Sequence, residues 1–291
     1  MLEKVTDRIY YYMNNDETDR PALGLVCGND CCLIIDAGNS PKHANELKKE
    51  IESMNLPPVK YLVVTHHHWD HTFGLSEWNV VTIANQITYE YMKTYCNLKY
   101  DDHSLEEAKK NKIFKDTSIK SIKDEIEQRE NFHPKNCTLL FSGEITIDLG
   151  GITCYLRQIV SPHTDDSTII YVPEERMLFL GDCNYGYTSQ GYNYYNKELM
   201  ELNINAIKQY DAKYYLCSHE SICTKEEMEA YWKQLRMGAK ITETCNNIDE
   251  AIMEFKKIYN TEPNSDDIFF IRSFGVGKTW GREMDLKPEI F

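Results

Sequence analysis

The chain has 291 residues, 42% hydrophobic and 27% charged, with a formal net charge of −14, which allows a large buried core and an ordinary globular balance. No stretch approaches the ~20 consecutive apolar residues of a membrane-spanning helix, so no membrane partner is expected, and so acidic a surface repels phosphate backbones and disfavours nucleic acid. The opening MLEKVTDRIYYYMNND carries charges where a signal peptide needs an apolar run, so a cytoplasmic location is expected, with the ten cysteines as reduced thiols.

In chain order, RIYYYM (8–13), ALGLVC (22–27) and CCLIIDA (31–37) read as strands, rich in β-formers and separated by Asp, Asn, Pro and Gly. Cys27, Cys31 and Cys32 lie in or beside these apolar runs and are assigned to the core. Ser40 and Pro41 open a helix with Leu47, Ile51 and Met54 on one face. YLVVT (61–65) is a buried strand, and HHHWDHTFG (66–74) follows in the loop that leaves it. VVTIA (80–84) is a strand and 86–96 a helix. Residues 104–131 are densely charged, with Ile119, Ile122 and Ile126 at helical spacing, and read as a solvated helix pair; a lid over a pocket is the alternative.

Strands resume at TLLF (138–141), EITIDL (144–149), ITCYLRQI (152–159), STIIYV (167–172) and RMLFLGD (176–182). Residues 197–209 are helical, YYLCSH (214–219) is a strand ending at His219, and 224–258 is largely helical. IFFIRSF, in the tail after Asp267, reads as one more strand. Both halves run strand, strand, helix, strand, which suits two packed sheets with outer helices. The reading is one domain over 1–291, with a charged helical insertion at about 86–136 and a helical part from about 224.

The spacing His66-x-His68-x-Asp70-His71 carries the chemistry. Residues two apart on an extended stretch face the same side, so His66 and His68 can grip one ion, while Asp70 and His71, past the bend, can turn to a second. Imidazole and carboxylate suit zinc, and also iron or manganese. Two ions need more ligands, and His163 (after RQIVSP), Asp182 (ending RMLFLGD) and His219 (ending YYLCSH) each arrive where an apolar strand runs out. His67, between two ligands, points away; His43, His103 and His133 fall in charged, exposed segments.

These motifs, in this order over roughly residues 5–220, resemble the metallo-β-lactamase superfamily. The resemblance implies an α/β fold, the four-layer αββα sandwich with two metal ions at one edge of the sheets. It implies His66, His68 and His163 on the first ion, Asp70, His71 and His219 on the second, Asp182 as the bridging carboxylate, and Asp36 in LIIDAG bracing the metal loop from behind. The expected chemistry is hydrolysis of a small molecule. Two cations lower the pKa of a bridging water to about 7, and the hydroxide attacks; Asp70 orients the water or carries a proton. Tyr185 and Tyr187, with Tyr192, Tyr194 and Tyr195 after them, are expected along the pocket. Cys183 is expected to face away, either inert or supporting the ligands from behind.

Within the family, HTDDSTIIYVPEERMLFLGDC is similar to the zinc β-lactamases, but Asp182 stands where their best-known subclass has cysteine. Their carboxylate-binding lysine has no counterpart in CNYGYTS. THHHWDH is similar to hydroxyacylglutathione hydrolases, although Lys225, Lys233, Arg236 and Lys240 do not form their glutathione pattern. The expectation is thus a dinuclear hydrolase of an ester, thioester, lactone or amide. The alternatives are a β-lactamase or an iron-dependent oxidoreductase resembling persulfide dioxygenases. The sequence does not settle the oligomeric state.

Overall fold

The computed structural model describes residues 1–189 and 192–277. One sheet takes its strands in chain order: β1 (Leu2–Lys4), β2 (Ile9–Tyr12), β3 (Leu23–Cys27), β4 (Cys32–Ile35), β5 (Val59–Val63), β6 (Val81–Asn85) and β7 (Leu139–Phe141). β1 to β4 form an antiparallel meander, and β4 to β7 run parallel. Parallel neighbours need crossovers. These are α1 (Pro41–Glu52), the one-turn α2 (Trp69–Thr72), and a three-helix excursion of α3 (Gln86–Cys96), α4 (Asp102–Lys110) and α5 (Asp116–Glu125).

The second sheet comprises β8 (Glu144–Asp148), β9 (Thr153–Gln158), β10 (Thr168–Val172) and β11 (Met177–Gly181). After a hairpin of β12 (Tyr187–Ser189) and β13 (Tyr192–Tyr194) and helix α6 (Lys197–Ile207), it is completed by β14 (Tyr214–Cys217) and β15 (Cys223–Thr224). Its spatial order is β15-β14-β11-β10-β9-β8. Helices α7 (Lys225–Thr242), α8 (Ile248–Tyr259) and α9 (Ser265–Gly275) follow.

Alternation along the strands builds the layers. Val26, Leu33 and Val63 face inward and meet Leu156, Ile170, Phe179 and Leu216 between the sheets. Their neighbours Leu25, Ile34 and Leu62 face outward onto Ala44 and Leu47 of α1. On the other side, Leu178, Leu180 and Tyr215 pack against Ile204 of α6, Trp232 of α7 and Phe270 of α9. The result is the αββα sandwich that the motifs implied. All ten cysteines are free thiols, most of them buried, including Cys27, Cys31 and Cys32. Among the described residues no helix is long and apolar enough to cross a membrane.

Three expectations need correction. IFFIRSF is not a strand but lies within α9, which opens on a capping box between Asn264 and Asp267. Phe270, Ile271 and Phe274 are buried at helical spacing, a pattern that a short apolar run does not separate from a strand. His43 is fully buried rather than exposed. Its backbone N–H donates to the α1 cap, Ser40 Oγ, and burial, followed by the charge of Arg20, lowers its pKa to about 3, so the ring is neutral. The 104–131 segment is more than a solvated helix pair. Leu105, Phe114, Ile119, Ile122 and Ile126 close a separate apolar cluster over Trp69, Phe73, Tyr95 and Tyr100.

A buried ion pair fastens that insertion to the body. Arg20 Nε and Nη2 each donate to Glu125 at 2.8 Å, and Nη1 donates to Glu46 at 2.7 Å. Burial, the largest single influence, pushes the Glu125 pKa up, but hydrogen bonds from Arg20 and Ser40 and the charge of Arg20 together outweigh it and hold the carboxylate below its ordinary value of 4.5.

Candidate metal centre

Each candidate side chain leaves a strand end at the same rim. β5 stops at Val63, and the chain stays extended through His66 and His68 before the single turn of α2 carries Asp70 and His71 back beneath it. β11 ends at Gly181, whose φ is +54°. A Cβ there would come within 2.7 Å of the Thr65 side chain, so glycine lets Asp182 reach the histidine loop. β14 delivers His219, and the turn before β10 delivers His163.

The donor atoms fall into two groups that share one oxygen. In the first, His66 Nε2 and His163 Nε2 each lie 3.0 Å from His68 Nδ1. Asp182 Oδ2 stands 3.9 Å from His66 Nε2 and 3.5 Å from His163 Nε2. In the second, Asp70 Oδ2 lies 3.2 Å from His71 Nε2 and 3.3 Å from His219 Nε2. The same Asp182 Oδ2 is 3.6 Å from His71 Nε2 and 3.4 Å from His219 Nε2. Donors about 2.1 Å from a tetrahedral ion lie about 3.4 Å apart, so both groups have the dimensions of a metal cage. All seven sequence-predicted residues meet here. His71 Nε2 and Asp182 Oδ1 are buried without a hydrogen-bond partner, a costly arrangement that a bound cation would satisfy.

Outer contacts fix the rings. Asp36, held at φ +64°, accepts from Thr65 N at 2.7 Å, from Thr65 Oγ1 at 2.9 Å and from His71 Nδ1 at 2.7 Å. That bond leaves His71 Nε2 directed at the centre. His163 Nδ1 donates to the Gly186 carbonyl at 3.1 Å, which leaves its Nε2 turned toward His68 and Asp182. His67 turns away, as expected, and meets Asp166, whose carboxylate also accepts from His67 N and Thr88 Oγ1. Asp166 thus braces the loop from the side opposite Asp36. It escaped the sequence reading, although a second carboxylate in HTDDS, three residues after His163, was its signal.

The electrostatics split along the same line. Burial and neighbouring histidines lower the pKa values of His66 and His68 well below 6.5, so these rings are neutral, the form that ligates. Burial also disfavours charge on His71 and His219. There the surrounding aspartates prevail and raise both pKa values, as they do for a site that stabilises concentrated positive charge.

A pocket of about 680 Å³ opens above the centre. One wall comes from the insertion, through Ile113, Phe114, Lys115, Thr117 and Ser118, and the other from Tyr185, Tyr187, Tyr195, Tyr231 and Phe270. Tyr185 Oη accepts from the backbone N–H of His219 at 3.3 Å. Tyr195 and Tyr231 both donate to the Asn184 carbonyl. Tyr194 is buried and lies off the pocket, and the side chain of Tyr192 is outside the described part. Cys183 packs in the apolar layer behind the centre, where burial raises its pKa. Asp19, also missed in the sequence, lines the floor beside Asp70; burial and that neighbour push its pKa up to about 6.

The family model of the metallo-β-lactamase superfamily matches residues 22–219. The chain belongs to the metallo-β-lactamase superfamily. A β-lactamase-like protein 2 homolog from Caenorhabditis elegans is 31% identical over 157 residues, 53% of this chain and 41% of that protein, so the match spans less than half of the relative's length. A metallo-β-lactamase from Pontibacter korlensis superposes with a TM-score of 0.57 at 17% identity, over 80% of this chain and 97% of its own. TMB-1, a protein described for its substrate and inhibitor binding, gives 0.55 at 18% identity, over 80% and 95%. A double mutant of the sec-alkyl sulfatase PisA1 gives 0.63 at 14% identity, over 99% of this chain and 52% of that one. At such identities these likenesses establish the superfamily fold.

Proposed function

We propose that this superfamily member is a dinuclear metal hydrolase, with zinc as the expected metal, acting on a small-molecule ester, thioester, lactone or amide. The observation that carries the reading is the position of Asp182 Oδ2, within 3.4–3.9 Å of nitrogen donors from both groups. A carboxylate oxygen shared in this way is suited to two cations held side by side. Held there, such ions supply Lewis acidity, lowering the pKa of a water and polarising the oxygen of the bond to be cut.

The chain's own residues do the rest. His66, His68 and His163 hold one position, and Asp70, His71 and His219 the other. Asp36 keeps His71 in the tautomer that presents Nε2. Asp70, at the pocket floor, orients the attacking water and takes its proton through its free carboxylate oxygen. The aromatic walls exclude bulk water and seat an apolar portion of the substrate. No serine or cysteine nucleophile is needed, and Cys183 lies behind the site. The test is metal content of the purified protein followed by a panel of ester, thioester, lactone, lactam and phosphodiester substrates, with oxygen uptake monitored. About two metal ions per chain and oxygen-independent hydrolysis of a carboxylic derivative are expected. A single iron with oxygen uptake would replace this reading with an oxidoreductase.

A further inference from the structure

The proposed reaction uses none of the ten free thiols, yet two of them stand face to face. In the β3–β4 hairpin Cys27 is directly opposite Cys32 in antiparallel register. The backbone N–H of Cys27 donates away from this pair to the Arg8 carbonyl, and that of Cys32 donates away to Pro58. The two residues thus share no backbone hydrogen bond, and at such sites Cα atoms approach to about 4.5 Å with the side chains closer together. A disulfide spans Cα separations of about 4.4–6.8 Å. Both side chains leave the same face of the sheet, beside Leu25 and Ile34 and under Leu47 of α1. Alternation sends Cys31 to the opposite face, into the layer between the sheets. Among the described strand pairings no other two cysteines are in direct register: Cys154 faces Ile147, Cys217 faces Gly181 and Cys223 faces Tyr215. The two thiols form a chain, Cys27 donating to Cys32 and Cys32 Sγ to the Pro57 carbonyl at 3.2 Å. The bond from Cys27 lowers the Cys32 pKa against the effect of burial, which makes Cys32 the readier thiolate.

We propose that Cys27 and Cys32 form a dithiol site oxidised by a small peroxide, and that the resulting disulfide staples β3 to β4. The Cys32 thiolate attacks one oxygen of hydrogen peroxide and breaks the O–O bond. Its sulfur becomes a sulfenic acid, and the departing hydroxide takes up the proton that Cys32 had released, giving water. The Cys27 sulfur then attacks that of Cys32. An S–S bond forms, the S–O bond breaks, and the Cys27 proton leaves with the hydroxide as a second water. Two electrons pass from the thiols to the peroxide. The oxidant has to be small, because Cys27 is 5% exposed and Cys32 fully buried. The hairpin tip between them in the chain, Asn29 and Asp30, is open to solvent. The bond closes a ring of six residues at the start of β4, the strand that leads to Asp36.

Peptide mass mapping tests the site without relying on turnover. The full chain is treated with hydrogen peroxide, unfolded, alkylated and digested, and the segment carrying Cys27, Cys31 and Cys32 is weighed. It should lose two hydrogens and take up the alkylating agent at Cys31 alone, and a dithiol reductant should restore uptake at all three. Cys31→Ala should keep the linkage. Cys27→Ala should stop at a Cys32 sulfenic acid, trapped with dimedone; should that variant not fold, the wild-type map decides alone. The oxidised protein should also unfold a few degrees above the reduced one. A segment alkylated at all three positions after peroxide, a linkage through Cys31, or a folded Cys27→Ala protein without sulfenic acid overturns the site. An unchanged or lower unfolding midpoint overturns the staple.

Discussion

The floor of the pocket and its walls are held in different ways. At the floor, backbone and carboxylate partners delivered by the two sheets orient the rings. Asp36 and Asp166 brace the histidine loop from opposite sides, and the Gly186 carbonyl sets His163. The walls are separate helices, one tied down by Arg20 and Glu125 and the other packed through α7 and α9. Floor geometry is therefore over-determined and suited to fixed chemistry, whereas a wall can change composition without disturbing the centre. On the proposed function, reaction type would be set by the floor and substrate choice by the walls, in different parts of this chain.

If so, damage to the floor and damage to the walls should separate experimentally. The largest effect is expected from Asp182→Ala, which removes the shared oxygen. Metal content should fall for both positions, and hydrolysis should drop beyond the roughly 10–100-fold loss typical of an outer contact; full turnover with full metal content would break the comparison at once. Arg20→Ala should cost about 3 kcal/mol in denaturant unfolding, because it leaves Glu125 charged and buried without its partner. Acid should act on the same tie. The Glu125 pKa is depressed in the folded state, so its contribution is complete above about pH 4.5 and is lost as the pH falls through the lower folded value. Protease sensitivity of the insertion, followed from pH 6 to pH 3, measures this, and unchanged resistance would refute it.

Smaller effects sharpen the distinction. Asp36→Asn should weaken metal affinity about 10–100-fold, read by competition with a chelator, because the acceptor that sets His71 is altered. Tyr185→Phe should alter turnover only a few-fold, through loss of one hydrogen bond worth about 1 kcal/mol at the backbone of His219. Metal content should stay at the wild-type level. A Tyr185→Phe protein that lost metal would place this tyrosine with the floor instead of the wall.

The floor was legible in the sequence because its spacing is local chemistry. His66 and His68 share a face of an extended stretch, and Asp70 and His71 share the turn that follows, so four residues announce themselves in one segment. His163, Asp182 and His219 could be added because each ends an apolar strand. The walls were less legible. Phe114 and Lys115 approach the pocket only because Ile119, Ile122 and Ile126 bury one side of α5 against Tyr95 and Phe73, a tertiary event without a local signature. Asp19 and Arg20 illustrate the same limit, since their partners lie about 50 and 100 residues away. In α9, apolar residues on neighbouring positions looked like a strand, and the decisive cue was the Asn264–Asp267 cap rather than the run itself.

Anomalous diffraction from crystals grown with zinc tests the central claim most directly. Two zinc peaks are expected, about 3.5–4 Å apart, with one Asp182 oxygen between them and the remaining six side chains divided three and three. A lone peak away from Asp182, or none at all, would contradict the account.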